Sequence, residues 1–227
     1  MKLILAAGTG IAATLLLYLA TYVIPQTGIQ LHTNPLINKT IQYQAFALAL
    51  AFVVLFVTLK TTPQSAQLLK AGRLTAVAGK MTLLGISGKK SWKHEFFSLL
   101  IIISAATFGF MFFTRAQAGV FKPELIFWIV LFSLTNSFGE EIIYRFGING
   151  MLTGYTPAST VFLISGLVFG AAHWGGNPGG PLGMTMAGVL GYVSSKATSE
   201  TGGLGIAWAL HFVQDVIIYT FLFRANG

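Results

Sequence analysis

Residues 3–24 contain no charged side chain, and comparable apolar runs recur along the whole chain. Crossing a hydrocarbon core of roughly 30 Å takes about 20 helical residues, because in lipid the backbone must satisfy its own hydrogen bonds. The candidate spans are residues 3–24, 43–59, 96–113, 124–144, 158–172, 182–194 and 204–223, the fifth and sixth being short and interrupted by glycine. With 54% hydrophobic residues and six acidic residues among 227, the composition supports the same conclusion. The expectation is an all-α, polytopic bundle of about seven transmembrane helices. It forms a single membrane domain, residues 1–227, with N-terminal helices in 1–122 and a core in 123–223. No solenoid repeat or low-complexity linker argues for a second domain. The Met1-Lys2 start with small residues near Ala12 and Ala13 also fits a secretory signal peptide, but the long run without a clean cleavage site favours a retained helix.

The basic loop 60–95 orients these spans. It holds Lys60, Lys70, Arg73, Lys80, Lys89, Lys90 and Lys93, and loops of this charge stay on the cytoplasmic side. An N-terminus inside then places Lys2, these residues, Arg145 and Lys196 inside, against Lys39, Arg115, Lys122 and Arg224 outside. A net charge of +8 would also suit nucleic acid, but the cations flank spans and lack interleaved aromatics. Membrane lipid is the expected partner, and nucleic acid is not. Leu68, Leu69, Leu74, Val77, Met81 and Leu84 recur near helical spacing, which predicts an interfacial helix within this loop.

Other features exclude chemistry. The absence of cysteine removes disulfides, thiolate catalysis and cysteine-ligated metals. The glycine-rich stretch 175–181 lacks the Lys-Ser/Thr of a phosphate loop and reads as an inter-helix turn. Gly183, Ala187, Gly191 and Ser195 fall four apart, a stripe that lets helices pack closely.

Against this background Glu140 and Glu141 stand out in the run SFGEEIIYR, since a charge at the bilayer centre costs about 2.5–3.5 kcal/mol on insertion scales. Neighbours on an α-helix point about 100° apart, so the two carboxylates face different surroundings. Arg145 follows Glu141 by four residues, the favourable acid-before-base order for an ion pair. Glu140 is left without a partner on its own helix and is available for proton transfer. Phe169 with His173, and His211 with Asp215, are also spaced by four, each pair on one helical face. At 1.5 Å per residue Glu140 and His211 lie at about 17 Å and 12 Å from the cytoplasmic ends and can meet, whereas His173 at about 25 Å requires a tilted or late-starting helix.

In this order the three motifs, Glu140-Glu141-x-x-x-Arg145, Phe169-x-x-x-His173 and His211-x-x-x-Asp215, resemble the signature of the CAAX protease and bacteriocin-processing family of intramembrane glutamic endopeptidases. The resemblance covers about residues 124–223 and implies a helical core enclosing a water-filled site that opens sideways or to the cytosol. It implies hydrolysis of membrane-anchored or hydrophobic peptides in a prokaryotic cell membrane, without cofactor or metal. It makes Glu140 the general base and His173 the holder of water, with His211 facing the oxyanion and Phe169 beside the substrate. Asp215 stands where the commoner form of the motif carries Asn. An ionised Asp has no proton to donate, so Asp215 is expected to orient His211 instead. Two other classes stay open. One is a metalloenzyme using these carboxylates and imidazoles, which lacks HExxH spacing and sets Arg145 beside the cation. The other is a non-catalytic transporter or immunity-type protein with a polar staple, without a visible broken-helix repeat.

Overall fold

The computed structural model describes residues 1–115, 119 and 121–225. Eight α-helices account for most of these residues: α1 Lys2–Val23, α2 Pro35–Thr61, α3 Trp92–Arg115, α4 Ile126–Glu140, α5 Gly147–Leu152, α6 Ala158–Ala172, α7 Gly180–Thr201 and α8 Gly205–Ala225. A π-helical turn, Glu141–Phe146, joins α4 to α5, so that Pro123–Leu152 is one membrane-length unit. Among the described residues, five helical segments are long and apolar enough to cross a membrane: Lys2–Gln26, Pro35–Thr61, Trp92–Thr114, Pro123–Leu152 and Gly205–Arg224. The chain is an all-helical integral membrane protein. The remaining two helices, α6 and α7, form a hairpin, α6 being short and α7 carrying Ser194, Ser195, Lys196, Thr198 and Glu200 in its second half.

Local chemistry explains where helix ends depart from the apolar runs. Helix α2 begins at Pro35 rather than residue 43, because Asn34 Oδ1 accepts from the backbone N–H groups of Leu36 and Ile37, and Pro35 takes the first turn. Helix α7 continues past residue 194 to Thr201, where Gly202 adopts φ 72° and closes it. Its polar residues have partners inside the bundle: Ser195 Oγ donates to Asn149 Oδ1 at 2.8 Å, and Asn149 Nδ2 donates to the Ser195 carbonyl at 2.8 Å.

Glycines set the closest approaches. A Cβ at Gly170 would lie 2.6 Å from the Met184 carbonyl oxygen, and one at Gly166 would lie 2.9 Å from that of Gly188, so α6 and α7 touch backbone to backbone. The stripe read from α7 is thereby shifted: Gly191 lies against Gly166 and Phe169, Gly188 occupies the centre of the contact, and Ser195 bonds Asn149 instead. At α5 the absent side chain of Gly147 makes room for Val54 of α2, since a Cβ there would lie 2.9 Å from Val54 Cγ1.

The interfacial helix expected in loop 60–95 does not form. The segment contains 3₁₀ turns at Pro63–Leu68 and Thr82–Leu84 and two isolated bridges, Val77 with Ser91 and Met81 with Ile86. Helical spacing misled here because Leu68 and Met81 point into the core while Leu69, Leu74 and Val77 stay exposed. The hairpin-like part is tied to α7 through Glu200, whose Oε2 accepts from Gly79 N and Trp92 Nε1 at 2.9 Å each and whose Oε1 pairs with Lys196 Nζ at 2.5 Å. Hydrogen bonds to a charged group contribute about 1.5–3 kcal/mol each. Discounted for partial exposure, Glu200→Ala is expected to cost about 2–4 kcal/mol, read as a lowered melting temperature in detergent. Proteolysis should rise within residues 79–91 while the rest of the bundle stays protected.

Candidate active site

Three elements bring the ionisable groups together. Helix α4 and its π-turn carry Asn136, Glu140, Glu141 and Arg145, the end of α6 carries Phe169 and His173, and α8 carries His211 and Asp215. The two glutamates diverge, as neighbours on a helix must. Glu141 is 1% exposed, and its Oε1 lies 2.9 Å from Arg145 Nη2 and accepts from His211 Nδ1 at 2.9 Å. Arg145 is completely buried, with its guanidinium carbon 3.8 Å from the centre of the Phe169 ring. It therefore leaves the tally of cytoplasmic surface charge.

Glu140, 14% exposed, faces a cavity. Its Oε1 accepts from Asn136 Nδ2 at 3.3 Å, while its Oε2 makes no hydrogen bond among the described residues. That free oxygen lies 3.8 Å from His173 Nε2 and 3.6 Å from His211 Nε2. His173 is the C-cap of α6 rather than a residue within it, and its Nδ1 donates to the Phe169 carbonyl at 2.9 Å, which turns Nε2 toward Glu140. The two residues meet although their counted depths differ, and α6 starts at Ala158, two residues later than the count from Thr156.

Asp215 differs from expectation. The group holding His211 Nδ1 is Glu141, and Asp215 Oδ1 lies 3.7 Å from Nε2, too far for a direct hydrogen bond. Four-residue spacing put Asp215 on the right face but could not tell which ring nitrogen it meets. Its Oδ2 accepts from Asn136 Nδ2 at 3.1 Å. Asn136 thus spans both carboxylates, and Gln44 Nε2 orients it by donating to its Oδ1 at 3.1 Å. Neither amide belongs to the three sequence motifs. Asn136 was within reach of sequence reasoning, being four residues before Glu140 on the same face of an apolar helix. Gln44, on α2, has no such signal.

Besides a small cavity of about 120 Å³ between Tyr18, Tyr144, Glu140 and His173, two cavities meet at these groups. One, about 320 Å³, has Glu140, His173 and Asp215 at its base and Thr21, Lys39 and Leu222 at its rim. The other, about 270 Å³, is apolar and reaches His173, His211 and Asp215 past Ile102, Ile103 and Leu190. A larger apolar groove of about 690 Å³ between the 80–84 turn and the α6–α7 hairpin reaches none of these groups. Among the described residues, no three His, Asp or Glu side chains are grouped as metal ligands.

The helical membrane core thus gathers Glu140, His173, His211 and Asp215 where two cavities meet. Residues 122–217, which contain all three motifs, match the family described as Rce1-like, Type II CAAX prenyl endopeptidase. The motif-based resemblance and this match agree, and together they support a membrane endopeptidase. No curated protein and no solved structure gives a match.

Proposed function

We propose that the chain hydrolyses a peptide bond of a membrane-associated peptide with water activated by Glu140. The observation that carries this reading is Glu140 Oε2, a buried oxygen with no hydrogen-bond partner among the described residues, which lies 3.8 Å from His173 Nε2 and 3.6 Å from His211 Nε2 where the two cavities lined by these groups meet. A carboxylate whose other oxygen is held by Asn136 keeps its acceptor position fixed. Water placed against Oε2 and His173 gives its proton to Glu140 as its oxygen adds to the scissile carbonyl. His211, held by Glu141 through Nδ1, presents Nε2 to the oxyanion and, carrying its second proton, donates to it. Glu140 then passes its proton to the departing amine nitrogen, leaving a carboxylate and an amine as products. Asp215 and Asn136 hold the other side of the cavity, and Phe169 packs between Arg145, His173 and His211 beside the substrate path.

The wider assignment follows the same reading: a prokaryotic cell membrane, a cytoplasmic N-terminus, and a chemical core in residues 123–223. Residues 1–122 are more than an anchor in this account, because Gln44 reaches the site from α2. Every group in the proposed reaction is a protein side chain. Protein purified in detergent is therefore expected to contain substoichiometric zinc, iron and manganese and to keep cleaving peptide after exhaustive chelation. Activity lost on chelation and restored by one metal would instead establish the metalloenzyme reading.

A further inference from the structure

The two ends of the bundle differ in charge and in access to the site. At one end lie the start of α1, the end of α2, the basic loop and the α7–α8 turn: Lys2 Nζ donates to Thr62 Oγ1 at 3.4 Å, Arg73 N to the Thr201 carbonyl at 2.9 Å, and Leu204 N to the Lys70 carbonyl at 2.8 Å. This end carries Lys2, Lys60, Lys70, Arg73, Lys80, Lys89, Lys90 and Lys93, with Lys196 buried in its pair with Glu200. Between it and Glu140 every residue from 141 to 152 is buried, so the π-turn and α5 form a plug with no solvent-facing side chain.

The other end is open. The polar cavity rises from Glu140 to Thr21, near the end of α1, Lys39, in the first turns of α2, and Leu222, near the end of α8. The cations described there are Lys39, Lys122 and Arg224. Glu140 lies near the middle of the Pro123–Leu152 unit, about 18 Å from Leu152 when counted at 1.5 Å per residue. The apolar cavity enters the same base from the side, between Ile102 and Ile103 of α3 and Leu190 of α7.

Positive charge retained on the cytoplasmic side gives these ends their identity. We infer that the site receives its substrate from the non-cytoplasmic face. The substrate class is a translocated peptide, with an apolar segment in the bilayer beside α3 and α7 and a polar stretch leaving past Lys39. The scissile bond lies near the middle of the membrane, where the apolar and polar cavities join. This departs from the cytosolic opening that the family resemblance implies, and it rests on the proposal that Glu140 is the catalytic base.

The chain contains no cysteine, so single cysteines report sidedness without background. Ser87 on the basic loop and Thr21 and Lys39 at the cavity rim are all exposed, whereas Ser65 is buried and unsuitable. In intact spheroplasts an impermeant maleimide is expected to modify Thr21→Cys and Lys39→Cys, and to reach Ser87→Cys only after the membrane is permeabilised. Two rim variants guard against one failing to fold. A fluorogenic peptide with an N-terminal palmitoyl anchor should be cleaved at least tenfold faster when added to right-side-out than to inside-out vesicles. Labelling of Ser87→Cys in intact spheroplasts, protection of both rim cysteines there, or the opposite vesicle preference overturns the inference. If the peptide survives in both orientations and in detergent, the hydrolase reading loses that support, while the labelling still decides which face the cavity meets.

Discussion

In purified protein, Glu140→Gln is expected to melt with the parent chain and to cleave peptide only at background rate. The amide has the shape of the carboxylate and its oxygen still accepts from Asn136, so the packing around α4 is retained. What disappears is the proton acceptor at Oε2, the atom facing both histidines. Loss of a positioned general base lowers rate by about 10²–10⁴-fold. Turnover and melting temperature measured on one preparation separate the two effects. Normal turnover by Glu140→Gln would remove this residue from the chemistry.

Glu141→Gln should behave in the opposite way in its stability. Glu141 is 1% exposed and its Oε1 serves Arg145 and His211 together. Without the carboxylate, Arg145 keeps a buried charge with no counterion, and breaking such a pair typically costs about 3–5 kcal/mol. The double variant Glu141→Gln with Arg145→Met removes the stranded charge and should recover part of that loss. Activity should not return with it, because His211 Nδ1 still lacks the carboxylate that fixes its ring. Melting temperatures and cleavage rates of the single and double variants test both halves. Coupling of Arg145 to Glu140 rather than to Glu141 would show that the roles of the two glutamates are exchanged.

The division between the glutamates was legible because it depends only on helical angle, and the π-turn begins late enough, at Glu141, to leave it intact. Membrane architecture was legible for the same kind of reason: apolar length maps directly onto bilayer thickness. What sequence periodicity could not supply were features decided by partners far along the chain. The polar end of α7 looked like loop until Asn149 and Gly202 accounted for it. Leu68 and Met81 looked like one face of a surface helix, yet the segment is held by a carboxylate at residue 200. Asp215 lay on the expected face of α8, but Glu141, not Asp215, makes the hydrogen bond that orients His211. The π-turn itself left no trace in the apolar pattern, since residues 141–146 are buried on every side.

The central claim is that Glu140 activates water for peptide hydrolysis inside the membrane. It is tested most directly by comparing the membrane peptides of cells producing the wild-type chain with those of cells producing Glu140→Gln at equal abundance. The account predicts that at least one membrane-spanning peptide accumulates intact only with Glu140→Gln. Its shorter form, with a new terminus inside the former span, should occur only with the wild type. Identical peptide sets in the two cell populations would contradict it.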